Sequence, residues 1–404
     1  MKKTVTRINI LYSLLQFLYW AAVCAANGFA SIYLLDKGFS NSQIGITVAI
    51  GNILGVILQP LFASIADKTD KISIHKLTAI QIAIGASCFF MINFVHSLLI
   101  AIGALFIIST TLYQTTLPLI NSISMYYTNK GINVNFGLSR SMGSVSFAIT
   151  SSILGIINEK YGCSLIFLVG FSLYIIAIFV LLSMPVIKSN NDNKNSNAFE
   201  NINTSSHREN ISIYQFILRY KYFCVCLIGI MFIFVFHNML NAYMIHAVRN
   251  LGGNSSHMGV AISIAAFSEL PAMALFSKIR KHFKISSLIV FSCFAFTAKA
   301  IFTAISGNIL SLYLVQLIQA FSFAIYTPAS IYFVNEIMNE HDKFKGQAVI
   351  TAFVTAAAVI GSLSGGIILD NFGVKTMLYF GAALSTLGTV IVSIFAPRAC
   401  KLKS

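Results

Sequence analysis

Charge is what this sequence has least of. Only 10% of its 404 residues are Asp, Glu, Lys or Arg, against about 25% in soluble domains. Acids are the scarcer sign, with 12 Asp and Glu against 27 Lys and Arg. At 57% hydrophobic residues, a soluble chain of this makeup would aggregate, so a soluble globular class is excluded. Tryptophan occurs once, as Trp20 beside Tyr19. It falls inside an apolar run rather than at an interface belt; cavity lining is open to it, and core packing is the expectation. The seven cysteines (Cys24, Cys88, Cys163, Cys224, Cys226, Cys293, Cys400) have no spacing that fits a metal site or a disulfide framework, so they read as small packing residues. A His-box, a paired-carboxylate pattern and a P-loop are also lacking. No enzyme, cofactor or metal is therefore expected.

What the sequence does have is long apolar runs. A helix needs about 20 mostly apolar residues to cross a bilayer. Twelve stretches qualify, near 9–35, 42–66, 73–95, 98–127, 136–158, 161–187, 218–248, 256–279, 285–306, 308–338, 345–369 and 373–396. The first is too long for a signal-peptide core and is followed by no small-residue cleavage site, so it reads as a retained span. One polar segment, KSNNDNKNSNAFENINTSSHRENIS, separates six spans from six. Its Asn/Ser-rich composition cannot bury enough surface to fold. The expected organisation is an N-terminal six-helix bundle over 1–187, a linker over 188–212 and a C-terminal bundle over 213–404.

The two halves echo each other. GFSNSQIG (Gly38 to Gly45) follows span 1, and GGNSSHMG (Gly252 to Gly259) follows span 7. Charged loops follow spans 2 and 8. NEKYG (Asn158 to Gly162) ends span 5, and LDNFG (Leu369 to Gly373) ends span 11. Matched positions lie about 210 residues apart. Duplicated six-helix units imply a cavity at the interface of the halves.

The net charge of +15 invites a nucleic-acid reading, which its placement opposes. With the N-terminus inside, the outer loops hold only Lys37, Lys160, Arg249 and Lys375, and the spans only Arg140 and Lys299. The rest face the cytoplasm. That bias places both termini and the linker in the cytoplasm of a plasma-membrane protein. Anionic lipid is partner enough for such a surface, so no nucleic acid is expected, and the chain reads as a monomer.

Three stretches carry a family resemblance. LQPLFASIADK (Leu58 to Lys68), FGLSRSMGSVSFAITSSILG (Phe136 to Gly155) and FSELPAMALFSKIRKHF (Phe267 to Phe283) resemble span 2, span 5 and span 8 of the major facilitator superfamily. The likeness is to its oligosaccharide:proton symporter branch, the lactose permease relatives. Ala63 stands where the superfamily loop motif has Gly. The resemblance implies an all-α integral membrane fold of twelve transmembrane helices in two pseudo-symmetric bundles.

Ionisable groups inside a bilayer are costly and functional by default. Of the twelve acids only Glu269 falls mid-span, just before Pro271, a residue that can kink the helix. A carboxyl group in such surroundings can exchange a proton near neutral pH, and the resemblance gives the matching glutamate a role in both substrate binding and proton translocation. Lys299 falls where the branch has an arginine involved in coupling. A lone buried charge is costly, which makes Lys299 a natural partner for Glu269. Arg140 matches the substrate-binding arginine of span 5, with a rigid fork suited to hydroxyls or a carboxylate. Phe147 lies on the same helix face, where the branch has a tryptophan that stacks on the sugar.

Elsewhere the chain departs from the branch. Asn121 replaces a substrate-binding glutamate, Asn238 and Asn241 replace two aspartates, and Gln316, Gln319 and Ser322 replace a Lys–His–Glu series. Amides hydrogen-bond without charge, so these positions suit a neutral polar solute, although each is equally serviceable as glue between helices. His237 and His246 sit in span 7, where a lone histidine is more often structural than a proton carrier. Asp67 and Lys68 occupy the loop that the superfamily uses in gating.

The expected function is secondary active transport of a small polar organic solute, such as a sugar, oligosaccharide or nucleoside, by proton-coupled symport and alternating access. A proton-coupled drug exporter and an uncoupled facilitator are the alternatives on the same fold. A non-transporting membrane sensor is the alternative of another class.

Overall fold

The computed structural model describes residues 2–68, 73–96, 98–186 and 213–401. Residues 188–212, assigned above to the linker, lie outside the described residues. Eleven helices among those described are long and apolar enough to cross a membrane. The last of these reverses at Gly373, whose φ of 80° and ψ of 178° only glycine adopts readily. The chain therefore makes twelve crossings.

We label the crossings α1 (Lys2–Val23, continued by Cys24–Gly28 and Ala30–Asp36), α2 (Asn41–Lys68), α3 (Ile74–Met91), α4 (Leu99–Asn129), α5 (Phe136–Tyr161) and α6 (Ser164–Ser183). The second six are α7 (Lys221–Asn250), α8 (Ser255–His282), α9 (Ile285–Ile305), α10 (Ile309–Gln316, Leu317–Ala320 and Phe323–Ile337), and α11 and α12, the two arms of Lys343–Lys401. Polar side chains start several of them. Asn254 and Asn308 form capping boxes with His257 and Ser311 at the heads of α8 and α10, satisfying amides that a helix start leaves free.

Large apolar side chains such as Ile57, Phe179 and Leu182 stand exposed on the outside of the bundles. Lipid is the solvent that tolerates such a surface. Inside, helices associate through close contact of small residues rather than through a hydrophobic driving force. A Cβ added at Gly155 would sit 2.6 Å from the Ser255 carbonyl oxygen, and one added at Gly259 would collide with the Ser151 carbonyl. These glycines bring α5 against α8. Gly45 and Gly366 do the same for α2 and α11, meeting the backbones of Ser362 and Asn41.

The inter-bundle hydrogen bonds gather at these same helix ends. Asp370 accepts from the Asn41 backbone (3.1 Å), the Asn41 amide (2.9 Å) and the Ser42 backbone (2.7 Å). Its counterpart in the other half, Glu159, accepts from the Ser255 backbone at 3.3 Å. Both carboxylates thus face the N-terminus of a helix in the opposite bundle, where the dipole favours negative charge. Ser31 donates to the Ala242 carbonyl, and Tyr243 Oη lies within hydrogen-bond distance of the Asn41 carbonyl of the opposite bundle, at 3.1 Å. Together they make a closed seam across one end of the protein. The repeat legible in the sequence is present in the backbone too. Gly162 ends α5 at φ 79°, ψ 178°, the conformation of Gly373.

Three crossings are broken beside the interface of the halves. In α1 a π-turn spans Cys24–Gly28. In α7 Tyr243 leaves the helical region, at φ −120°, ψ 25°. In α10 a 3-10 turn spans Leu317–Ala320. Such interruptions redirect side chains and are common at functional sites.

Candidate functional site

The broken turns border one cavity of about 470 Å³, lined from both halves. That volume is in the ordinary range for small-molecule sites. Asn27 and Gly28 come from the π-turn of α1, Asn241 lies two residues before the Tyr243 kink, and Gln316 and Gln319 bracket the 3-10 entry of α10. Irregular backbone at this depth is tolerated where it lines a cavity, because water or solute can then satisfy the freed groups.

The C-terminal wall holds a polar chain. Lys299 Nζ on α9 donates to Gln319 Oε1 at 2.7 Å, and Gln319 Nε2 donates to Glu269 Oε1 on α8 at 2.9 Å. Lys299 is buried, with 4% of its surface exposed. Lys299 and Glu269 are therefore linked through an amide instead of meeting directly. The carbonyl of Gln319 faces the ammonium and its NH2 faces the carboxylate, an orientation that both charges enforce. Gln316, one helical turn earlier, is wholly buried, and neither of its amide atoms has a partner. Unpaired buried amides are costly, and this one borders the cavity.

Around the bend of α7, Asn241 Nδ2 lies 3.1 Å from His237 Nε2. That contact requires the ring nitrogen to accept, so the imidazole is neutral there. The His237 ring stacks on Phe323 at 5.4 Å between centroids and meets Phe234 and Phe296 edge-on. Asn238 Nδ2 donates to the Phe234 carbonyl at 2.8 Å while lining the cavity. His246 lies off the cavity with a buried, unpartnered Nε2.

The N-terminal wall is built around Arg140. Its guanidinium lies over the Trp20 ring, 4.2 Å from the centroid. Gly143, one turn along α5, is what admits the indole, since a Cβ there would collide with Trp20 Cδ1. Phe147 also borders the cavity, near Gly28.

Of the remaining sequence candidates, Asn121 on α4 accepts from Gln16 Nε2 at 3.3 Å and is not on the cavity wall. Ser322 Oγ donates to the Ile318 carbonyl at 3.2 Å and is off the wall as well. Asp67 and Lys68 form the end of α2, and their side chains lie outside the described residues. Sequence reasoning missed Asn27, Asn52 and Gln114, which share the N-terminal wall. It also favoured core packing over cavity lining for Trp20, whereas the ring lines the cavity under Arg140. Its isolation as the lone tryptophan was the available signal. Among the described residues no group of three His, Cys, Asp or Glu could hold a metal ion.

Two broken-helix bundles closing on a shared, polar-lined cavity define a multi-pass membrane transporter of the major facilitator kind rather than an enzyme. The model of the MFS_1-like family matches residues 9–380, and the chain belongs to that family. It is 26% identical over 377 residues to an uncharacterized transporter, YwbF, of Bacillus subtilis (strain 168), covering 88% of this chain and 87% of that one. It is 21% identical over 390 residues to a maltose permease of Geobacillus stearothermophilus, covering 96% and 94%. Among solved structures, the nucleoside transporter NupG matches with a TM-score of 0.76 at 18% identity, covering 97% of this chain and 98% of that one. A D-xylose-proton symporter matches at 0.68 and 13%, covering 98% and 97%. At these identities the structural matches speak for the fold.

Proposed function

We propose that the protein is a plasma-membrane symporter that couples protons to a small, hydroxyl-bearing solute of the sugar, oligosaccharide or nucleoside kind. The observation that carries this reading is the Lys299–Gln319–Glu269 chain on the wall of a cavity shared by both bundles. Ionised Glu269 holds the Gln319 NH2, and Gln319 in turn holds Lys299. A proton on Glu269 removes the charge that orients the amide. The amide edge is then released toward the cavity, where solute hydroxyls can take it. Proton and solute thereby act on the same hydrogen-bond chain, and that is what symport requires.

The two halves rock about this cavity. The seam made by Asp370, Glu159 and the paired glycines is the closed gate in this conformation. Basic loops gather at the other end, so the seam faces outward, the termini and linker face the cytoplasm, and the cavity is reached from within. Asp67 and Lys68, at the inner end of α2, belong to the opposite gate.

The test is solute-driven proton movement in vesicles reconstituted with the purified protein. Adding maltose, D-xylose, uridine or a sugar acid outside should alkalinise the medium. If none of them moves protons while the protein accelerates their equilibration, the coupling reading is lost and an uncoupled facilitator takes its place.

A further inference from the structure

The charges on the cavity wall do not cancel. Among the described lining residues the charged groups are Arg140, Lys299 and Glu269, and His237 is neutral in its bond to Asn241. Lys299 and Glu269 are tied to each other through Gln319. Arg140 forms no ion pair with any described carboxylate. Asn121, the amide expected on α4 to meet the solute, is turned to Gln16. What Arg140 has instead is the face of Trp20 at 4.2 Å. Stacking uses the flat side of a guanidinium and leaves its N–H edge free, in the fork geometry that fits a carboxylate.

We infer that the transported solute carries one carboxylate, which docks on the N–H edge of Arg140, on a hydroxyl-bearing body that meets the cavity amides. Sugar acids and small hydroxy acids fit this description, and neutral sugars do not.

The inference rests on proton coupling through Glu269, and charge balance argues for it. With Glu269 ionised and the cavity empty, the net charge of the three groups is +1. With a proton on Glu269 and a carboxylate on Arg140, it is again +1. The empty and loaded carriers then rock with the same buried charge. A neutral solute arriving with a proton would raise that charge to +2, and uncompensated charge in a closing cavity is costly. The amides on the walls, Asn238, Asn241 and Gln114, each spend an N–H on a protein neighbour and keep a carbonyl oxygen to accept from solute hydroxyls. On this inference the amides meet the body of the solute and Arg140 meets its head.

Trp20 makes the test direct. It is the only tryptophan of the chain and lies under the docking group, so its emission reports on Arg140. The purified full-length protein is titrated with D-glucuronate, D-galacturonate, D-gluconate and L-lactate. D-Glucose, D-galactose, maltose and uridine serve as neutral counterparts, and potassium chloride as the ionic control. At least one acid should give a saturable change, with its neutral counterpart at least tenfold weaker. Arg140→Gln should weaken the acid at least tenfold, and Arg140→Lys should recover part of the loss. Thermal-shift titration serves as a second readout independent of the Trp20 environment, and an unchanged melting temperature without solute shows that the variants are folded.

The inference is overturned by equal affinity for a neutral counterpart, by an Arg140→Gln variant that binds the acid normally, by chloride reproducing the response, or by silence toward all four acids. Proton-coupled uptake of maltose or uridine would overturn it while leaving the symport reading intact. Acid binding without proton movement would sustain the docking on Arg140 and remove the coupling.

Discussion

The two walls of the cavity descend from the same six-helix plan and hold their charges in opposite ways. On the N-terminal wall a guanidinium rests on an aromatic face with its donors uncommitted. On the C-terminal wall an ammonium and a carboxylate are joined by an amide whose every polar atom facing them is used. In the proposed mechanism the first arrangement waits for a ligand, and the second changes when a proton arrives. At the closed end the two copies behave alike instead, each offering a carboxylate to the start of a helix in the other bundle. The mechanical parts of the two halves match, and the chemical parts differ.

The contrast between walls is broken most completely at Glu269. Glu269→Gln keeps the shape and a hydrogen-bonding group but removes the exchangeable proton. We expect pH-dependent accumulation to vanish, a loss of at least a hundredfold, while the protein still inserts and equilibrates solute. Uptake into vesicles under an imposed proton gradient measures it. Accumulation at the wild-type level would strip the C-terminal wall of its proposed role.

Gln319→Leu comes next. It leaves Lys299 and Glu269 in place with the link between them cut. Hydrogen bonds to charged groups are worth about 1.5–3 kcal/mol each, so a stability loss of about 3 kcal/mol is expected, read as a lowered unfolding midpoint in detergent. Coupling should fall with it, so that proton movement per solute drops more than solute binding does. A variant that is less stable yet normally coupled would make Gln319 a structural strut.

Much of this was legible in the sequence because membrane spans announce themselves by length and because a charge in oil is conspicuous. Glu269, Lys299 and Arg140 were found as isolated charges within apolar runs. Their partners were not so easily found. Trp20 meets Arg140 across 120 positions of sequence, and nothing in the spacing of α1 says which face turns to α5. The amides were ambiguous for the same reason. Asn238 and Gln319 line the cavity whereas Asn121 binds Gln16 inside its own bundle, and only packing separates the two fates. The breaks in α1 and α10 were silent too, since neither π-turn nor 3-10 turn carries a proline.

The symmetry of the closed end can be pressed at the seam. Gly259→Val adds bulk where a Cβ already collides with the Ser151 carbonyl. Overpacking costs about 1–3 kcal/mol, and here that cost falls only on the conformation with the seam closed. Spin labels on α5 and α8 near this end should move apart, and the population with an opened seam should rise at least fivefold. An unchanged distance distribution would mean that α5 and α8 slide to accommodate the side chain.

The smallest effects belong to the carboxylates that face helix starts. Asp370 takes three donations, at 2.7, 2.9 and 3.1 Å, whereas Glu159 takes one of 3.3 Å from the Ser255 backbone. A charge at a helix N-terminus contributes about 0.3–1 kcal/mol when exposed to solvent. Asp370→Asn keeps an acceptor but loses the charge, so the closed seam should weaken by up to about fivefold in population. Glu159→Gln should shift it by less than half as much in free energy. The same labels read both, and raising salt should erase most of the difference, because exposed charges are screened. An effect of Glu159→Gln equal to or larger than that of Asp370→Asn would show that hydrogen-bond number does not rank the two latches, and that the copies remain equivalent at this end in energy as well as in form.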